Sequence, residues 1–160
     1  MKIISSILVA LLAVVSLSAQ ARYDGEDRGK PVQPAQVNAK FQQECSGCHM
    51  AFPAGLLPAA SWRKMMTGLD KHFGVDASLA PAEVTEITNF LVKNASNRWT
   101  ATTSPLRITE SAWFKSKHNE REISPAVWKR AAIKSPSNCS ACHAGAEKGD
   151  FNEDRVKIPK

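Results

Sequence analysis

The chain has 160 residues, a net charge of +6, and a composition that is 43% hydrophobic but only 7% aromatic. That length allows one domain or two very small ones, and two such units with so few aromatic side chains need something extra to fill their cores. A cationic balance of this kind would suit nucleic acid in a cytosolic protein, but an export leader excludes that partner class and directs the charge towards an acidic protein surface.

The leader is the first stretch, "MKIISSILVALLAVVSLSAQA", with Lys2 ahead of an apolar run over residues 3–15 and the small-residue pattern Ala19-Gln20-Ala21 at its end. It reads as a secretory signal peptide over residues 1–21. A membrane anchor would need about 20 unbroken apolar residues, and Ser5, Ser6 and Ser16 interrupt this run. No later stretch is long and apolar enough to span. The mature chain, residues 22–160, is therefore expected to be soluble and exported, with a net charge of +5 once Lys2 is removed, and it is expected to be a monomer. Residues 22–34, which hold Asp24, Glu26, Asp27 and three basic residues, read as a flexible leader.

A helix is expected from about residue 35, with Val37 and Phe41 one turn apart, running into Cys45-Ser46-Gly47-Cys48-His49. The same pattern returns as Cys139-Ser140-Ala141-Cys142-His143. Cys-x-x-Cys-His is the attachment signature of a c-type haem. Thiols three residues apart face the same side of a helical turn, where each can add across one of two neighbouring vinyl groups. The histidine that follows then presents its imidazole to the iron as proximal ligand. Zinc ribbons also use two Cys-x-x-Cys knuckles, but separated by about 15–20 residues, whereas Cys48 and Cys139 lie more than half the chain apart. A redox dithiol would need a strand–helix–strand setting that the pattern lacks, and two local disulfides would leave His49 and His143 without a role. The chain is read as holding two covalently attached haem c groups, through Cys45, Cys48 and His49 and through Cys139, Cys142 and His143.

After the first motif, "AFPAGLLPA" is expected to form a loop over the haem edge. Trp62, Met65, Met66, Leu69, His72 and Phe73 follow at helical offsets, so an amphipathic helix is expected with His72 at its end and Gly74 placed to stop it. An inward histidine beside a haem would naturally take the sixth iron position. Met65, Met66 and Met50 are rivals that would raise the potential. A third helix over residues 81–94 follows, with Pro81 in its first turn and Val84, Ile87, Leu91 and Val92 on one face. A motif-bearing helix, a loop and two further helices resemble a class I cytochrome c core.

"NRWTATTSPLR", from residue 97, reads as a link. The second unit has a short segment over residues 113–118, a helix over about 125–133 ("PAVWKRAAI"), the second motif, and a polar tail from residue 144. His118 has Phe114 one turn before it but polar neighbours in Lys115, Lys117, Asn119 and Glu120. The competing reading is a solvent-facing histidine. The second half of the chain contains no methionine, so a six-coordinate second haem would take His118, a histidine from the other half, or, as a weaker ligand, a lysine. Crossed pairing of the four histidines closes loops about three times longer than local pairing, which costs only about 1 kcal/mol. That favours His49 with His72 and His118 with His143 and leaves crossed pairs open. So small a unit cannot bury a conventional core, and the porphyrin, packed by Trp113 and Trp128, would serve as one. The expected fold is mainly α: a class I cytochrome c-like haem domain over residues 35–97, then a small, loop-rich haem domain over residues 98–160 ending in the polar tail.

"ECSGCHMAFPAGLLPAASWRKMMTGLDKHFGVDASL" and "HNEREISPAVWKRAAIKSPSNCSACHAGAEKGDFNEDRVKIP" resemble the bacterial dihaem cytochrome c family, the periplasmic electron-donor partners of the sphaeroides haem protein. The resemblance covers residues 39–159. It implies an electron carrier with two low-potential haems, each iron held by two histidines: His49, His72, His118 and His143, with His72 and His118 at the sixth positions. It also implies a redox partner, an oxygen-binding monohaem cytochrome c, with a membrane cytochrome b as the other partner class. Lys115, Lys117, Arg121, Lys129 and Arg130 would supply a docking face. The alternative is a small dihaem enzyme or gas-binding protein with one open or displaceable iron position, which requires His72 or His118 to leave the iron.

Overall fold

The computed structural model describes Val32 and residues 38–96 and 105–160. The expected signal peptide, most of the expected leader and most of the expected link lie outside these residues. Among the described residues there is no strand, only an isolated antiparallel bridge between His72 and Val75. Four α-helices form: α1 (Ala39–Cys45), α2 (Ala59–Met66), α3 (Pro81–Lys93) and α4 (Ala112–Lys117).

Each helix start has a local cause. The Asn38 side chain accepts from the Phe41 N–H (2.7 Å) and caps α1, and the Ser111 hydroxyl does the same for Phe114 (3.1 Å) in α4. In α3, Pro81 needs no hydrogen-bond partner at the first turn, and the Glu83 carboxylate accepts from the Ala80 N–H (3.2 Å). The α3 helix agrees with the expected span to within a residue.

The core of the first half is built from Phe41, Ala51, Ala54, Leu57, Trp62, Met66, Ile87 and Leu91. Phe41 of α1 meets Phe90 of α3 with ring centres 5.4 Å apart. The loop after the first motif is held down by the Trp62 indole N–H, which donates to the Ala54 carbonyl at 2.7 Å. Ile108, beyond the link, packs against the same core.

Two expected helices are corrected. The apolar stripe from Trp62 to Phe73 is not one helix, because α2 stops at Met66. The Gly68 N–H turns back to the Met65 carbonyl (3.1 Å), and a separate 3-10 turn, Leu69–Lys71, carries the chain to His72. Glycine at position 68 weakens helix continuation. The stretch over residues 125–133 holds only the 3-10 turn Val127–Lys129. Arg130 is extended (φ −63°, ψ 141°) and its guanidinium donates to the Pro159 carbonyl at 2.7 Å, a tertiary tie that overrides local helix propensity.

The second half also holds the 3-10 turns Ile108–Glu110, Cys139–Ala141, Ala146–Lys148 and Glu153–Arg155. Its tail, polar in composition, packs inward: the Lys157 N–H donates to the Cys142 carbonyl at 3.0 Å. One residue of the expected leader, Val32, is also seated there, donating to the Gly149 carbonyl at 2.8 Å. Its carbonyl lies so close to Gly55 that a β-carbon at position 55 could not be accommodated without a shift.

Candidate haem-binding sites

The first motif starts in α1, with Cys45 as its last residue, and the chain then turns through Ser46, Gly47 and Cys48 to His49. The His49 Nδ1 donates to the Met50 carbonyl at 2.7 Å. A carbonyl can only accept, so the hydrogen sits on Nδ1 and the lone pair of Nε2 is left for a metal. Facing it is His72, with ring centres 6.1 Å apart and planes inclined at 28°. Phe52 flanks His49 at 5.0 Å, and Phe73 flanks His72 at 4.8 Å. The rival sulphurs are placed differently. Met66 is buried in the core and Met65 packs against it, while the Met50 thioether accepts from the Ser140 hydroxyl at 3.5 Å. That last contact joins the residue after the first motif to the interior of the second.

The second motif forms on the 3-10 turn Cys139–Ala141, and the His143 N–H returns to the Cys139 carbonyl at 2.8 Å. His118 terminates α4. Its Nδ1 donates to the Phe114 carbonyl at 3.1 Å, and its ring lies 4.1 Å from that of Phe114 at 12°. Across from it is His143, with ring centres again 6.1 Å apart and planes inclined at 68°. Both histidines edge a cavity of about 900 Å³, within the usual range of small-molecule pockets. Cys139, Cys142, Trp113 and Trp128 also line it, as do Ile108, Phe151, Val156 and Ile158 of the second half and Leu56 from the first.

The structure therefore brings His49 to His72 and His118 to His143, as local pairs. The spacing suits a metal between each. A metal–imidazole nitrogen bond of about 2 Å, with about 1.1 Å from nitrogen to ring centre on either side, separates the two centres by about 6.2 Å. Among the described residues no group of three or more His, Cys, Asp and Glu side chains converges on a bare ion. Two thiols and two imidazoles would suffice in number for structural zinc, but here they do not converge on one point; each cysteine pair instead stands beside a pair of imidazoles, the donors that a covalently tethered haem would use. All four cysteines are free of disulfides. Burial pushes the Cys45 and Cys139 thiols up to about 11, so they stay protonated rather than acting as thiolate nucleophiles. Burial likewise lowers His72, His118 and His143 from the ordinary histidine value, keeping them in the neutral form that coordinates metal.

Five contributors were not visible in the sequence. Phe52 and Phe151 stand against the two motif histidines, the latter 5.3 Å from His143. The Arg107 guanidinium lies 4.0 Å over the Phe73 ring, beside His72. The tail residues Val156 and Ile158 were hidden by their polar surroundings, although their alternation with charged residues is a weak signal of an inward edge. Of the basic residues expected to form a docking face, Lys117 pairs with Glu153 at 2.9 Å and Arg130 is tied to Pro159. Lys115, Arg121 and Lys129 are exposed.

The family model for dihaem cytochrome c matches residues 41–151. A dihaem cytochrome c from Rhodobacter sphaeroides is 47% identical over 72% of this chain and 97% of that one, with a TM-score of 0.66. A dihaem cytochrome c from Shewanella baltica is 43% identical over 76% of this chain and 93% of that one, with a TM-score of 0.67. No curated protein sequence matches the chain.

Proposed function

The chain belongs to the dihaem cytochrome c family, electron-transfer haem proteins with two covalently bound haem c groups, and from that premise we propose that it is a low-potential electron carrier in which both irons are held by two histidines. Cys45 and Cys48 tether the first haem and Cys139 and Cys142 the second. His49 and His143 are the proximal ligands, and His72 and His118 the distal ones. The observation that carries this reading is the pair of facing imidazoles beside each motif, at the same 6.1 Å in both.

When bound, each haem supplies a one-electron couple. The protein's part is to hold the ligand set constant through that change. The Met50 carbonyl orients His49, and the Phe114 carbonyl and ring orient His118. Two imidazoles favour a lower potential than a histidine–methionine pair, and the burial of Met66 supports that assignment for the first site. The contact between Met50 and Ser140 supports passage of an electron from one haem to the other.

Exposed Lys115, Arg121 and Lys129 suit docking on an acidic redox partner, and an oxygen-binding monohaem cytochrome c is the partner the resemblance carries. No helix among the described residues is long and apolar enough to cross a membrane. Together with the leader at residues 1–21, this fits export to the periplasm. Visible and paramagnetic resonance spectra of the purified protein test the ligation. Two low-spin haems without a sulphur-to-iron charge-transfer band are expected. A high-spin signal in the resting protein, or that band, rejects two-histidine ligation for at least one haem.

A further inference from the structure

The two distal histidines are held very differently. His118 closes a helix, donates to the Phe114 carbonyl at 3.1 Å, lies flat on Phe114 at 4.1 Å and has Trp128 at 6.0 Å. The backbone of His72 lies in a turn at the surface, where Val75 is 61% exposed. Among the described residues its ring has no hydrogen-bond partner, and its ring neighbours are His49 and Phe73. The turn is also strained. Phe73, directly after His72, has φ +50°, a left-handed conformation that a bulky side chain rarely adopts, and only Gly74 at φ +97° is suited to such a value.

The neighbouring cation adds to the asymmetry. Arg107 sits 4.0 Å over the ring of Phe73 and is itself half exposed, so the residue after His72 is packed by a surface side chain. His49, opposite, keeps its carbonyl bond and is bound to the tether through Cys48, so it stays in place.

We infer that His72 is the exchangeable ligand and that the first haem, not the second, admits a small neutral π-acceptor such as carbon monoxide or nitric oxide when reduced. The inference rests on the two-histidine reading above. The exchange is a substitution without redox change: the bond from iron to the His72 nitrogen breaks, its electron pair returns to the imidazole, and the lone pair of the incoming ligand fills the vacated position.

The test is rapid mixing of the dithionite-reduced holoprotein with carbon monoxide. Wild type is expected to take up one equivalent per chain, at a rate that levels off as carbon monoxide is raised because departure of the His72 ring limits it. In His72→Ala the stoichiometry stays at one, the plateau disappears and uptake becomes about tenfold faster or more, since the fraction of open site no longer limits it. In His118→Ala the slow phase persists and a second, fast equivalent appears. Survival of the slow phase in His72→Ala places it at the second haem and overturns the inference. No uptake by a wild type with two low-spin haems also overturns it, while leaving two-histidine ligation intact. A high-spin resting spectrum instead sinks the ligation reading, and the inference falls with it.

Discussion

His118 lies on Phe114 as one ring on another, 4.1 Å apart and inclined by 12°, while its Nδ1 donates to the carbonyl of that same residue. One residue therefore fixes both the plane and the tautomer of the ligand candidate. Phe114 is also buried, at 8% exposure, in a half that has few other large apolar residues inside. Truncation by Phe114→Ala should cost about 3 kcal/mol in thermal or denaturant unfolding. It should also open the second haem to carbon monoxide that wild type admits only at the first. Phe114→Leu should recover most of the stability but not the flat contact. If Phe114→Ala lowers stability yet leaves the second haem closed, the carbonyl bond alone is enough to hold His118.

Trp62 couples the core to the loop after the first motif. Its indole N–H donates to the Ala54 carbonyl at 2.7 Å, and the residue is 4% exposed. Trp62→Phe keeps an aromatic ring in place but leaves that carbonyl unpaired, and should cost about 1–3 kcal/mol. The midpoint of guanidinium unfolding checks this. A loss below about 0.5 kcal/mol would mean that water reaches the carbonyl and replaces the indole.

What could be read beforehand follows the range of the physics involved. The two Cys-x-x-Cys-His motifs are local covalent chemistry, so they needed no fold. Helix α3 was legible because Pro81, Glu83 and the spacing of Ile87 and Leu91 all act within one segment. The stripe through Trp62 and His72 misled because apolar periodicity continues across a break. The 3-10 turn after Gly68 returns the chain to the same side without extending α2. The stretch after Pro125 misled for the opposite reason, since its backbone answers to Arg130 and the distant Pro159 carbonyl. The place of Phe151, Val156 and Ile158 in the lining depends on a cavity assembled from both halves of the chain, and no local pattern encodes that.

Arg107 gives the first site a handle on potential. Its guanidinium lies 4.0 Å over Phe73, and after burial and the facing His49 it is the third influence holding His72 below the ordinary histidine value. A fixed cation favours the reduced, less positive iron, so Arg107→Gln should lower the potential of the first haem. The side chain of Arg107 is 52% exposed and also faces Glu110 at 3.8 Å, so screening keeps the shift to roughly 10–40 mV. Potentiometric titration followed at each haem is the measurement. Equal shifts at both haems, or none at the first, would show that Arg107 acts on something other than this site.

Lys40 and Glu83 tie α1 to α3 at 3.0 Å, close behind the helix that carries Cys45. The hydrogen bond from Lys40, followed by that from the Ala80 N–H, holds Glu83 below the usual carboxylate range, and Glu83 raises Lys40 in return. A depressed carboxylate contributes stability that is complete above the unfolded value, about 4.3 for glutamate, and is lost as pH falls through the lower folded value, because the unfolded chain takes up the proton first. The raised lysine works in the other direction: its share is complete below about 10.4 and is lost as pH rises through the higher folded value. The pair therefore stabilises most between these limits. Lys40→Met should lower the melting temperature slightly at pH 7, and the gap to wild type should narrow as the pH is taken down towards 3. Protonation of the histidines acts on both proteins and cancels in that difference, so a gap that does not change with pH would assign the effect of Lys40 to packing of its aliphatic stem.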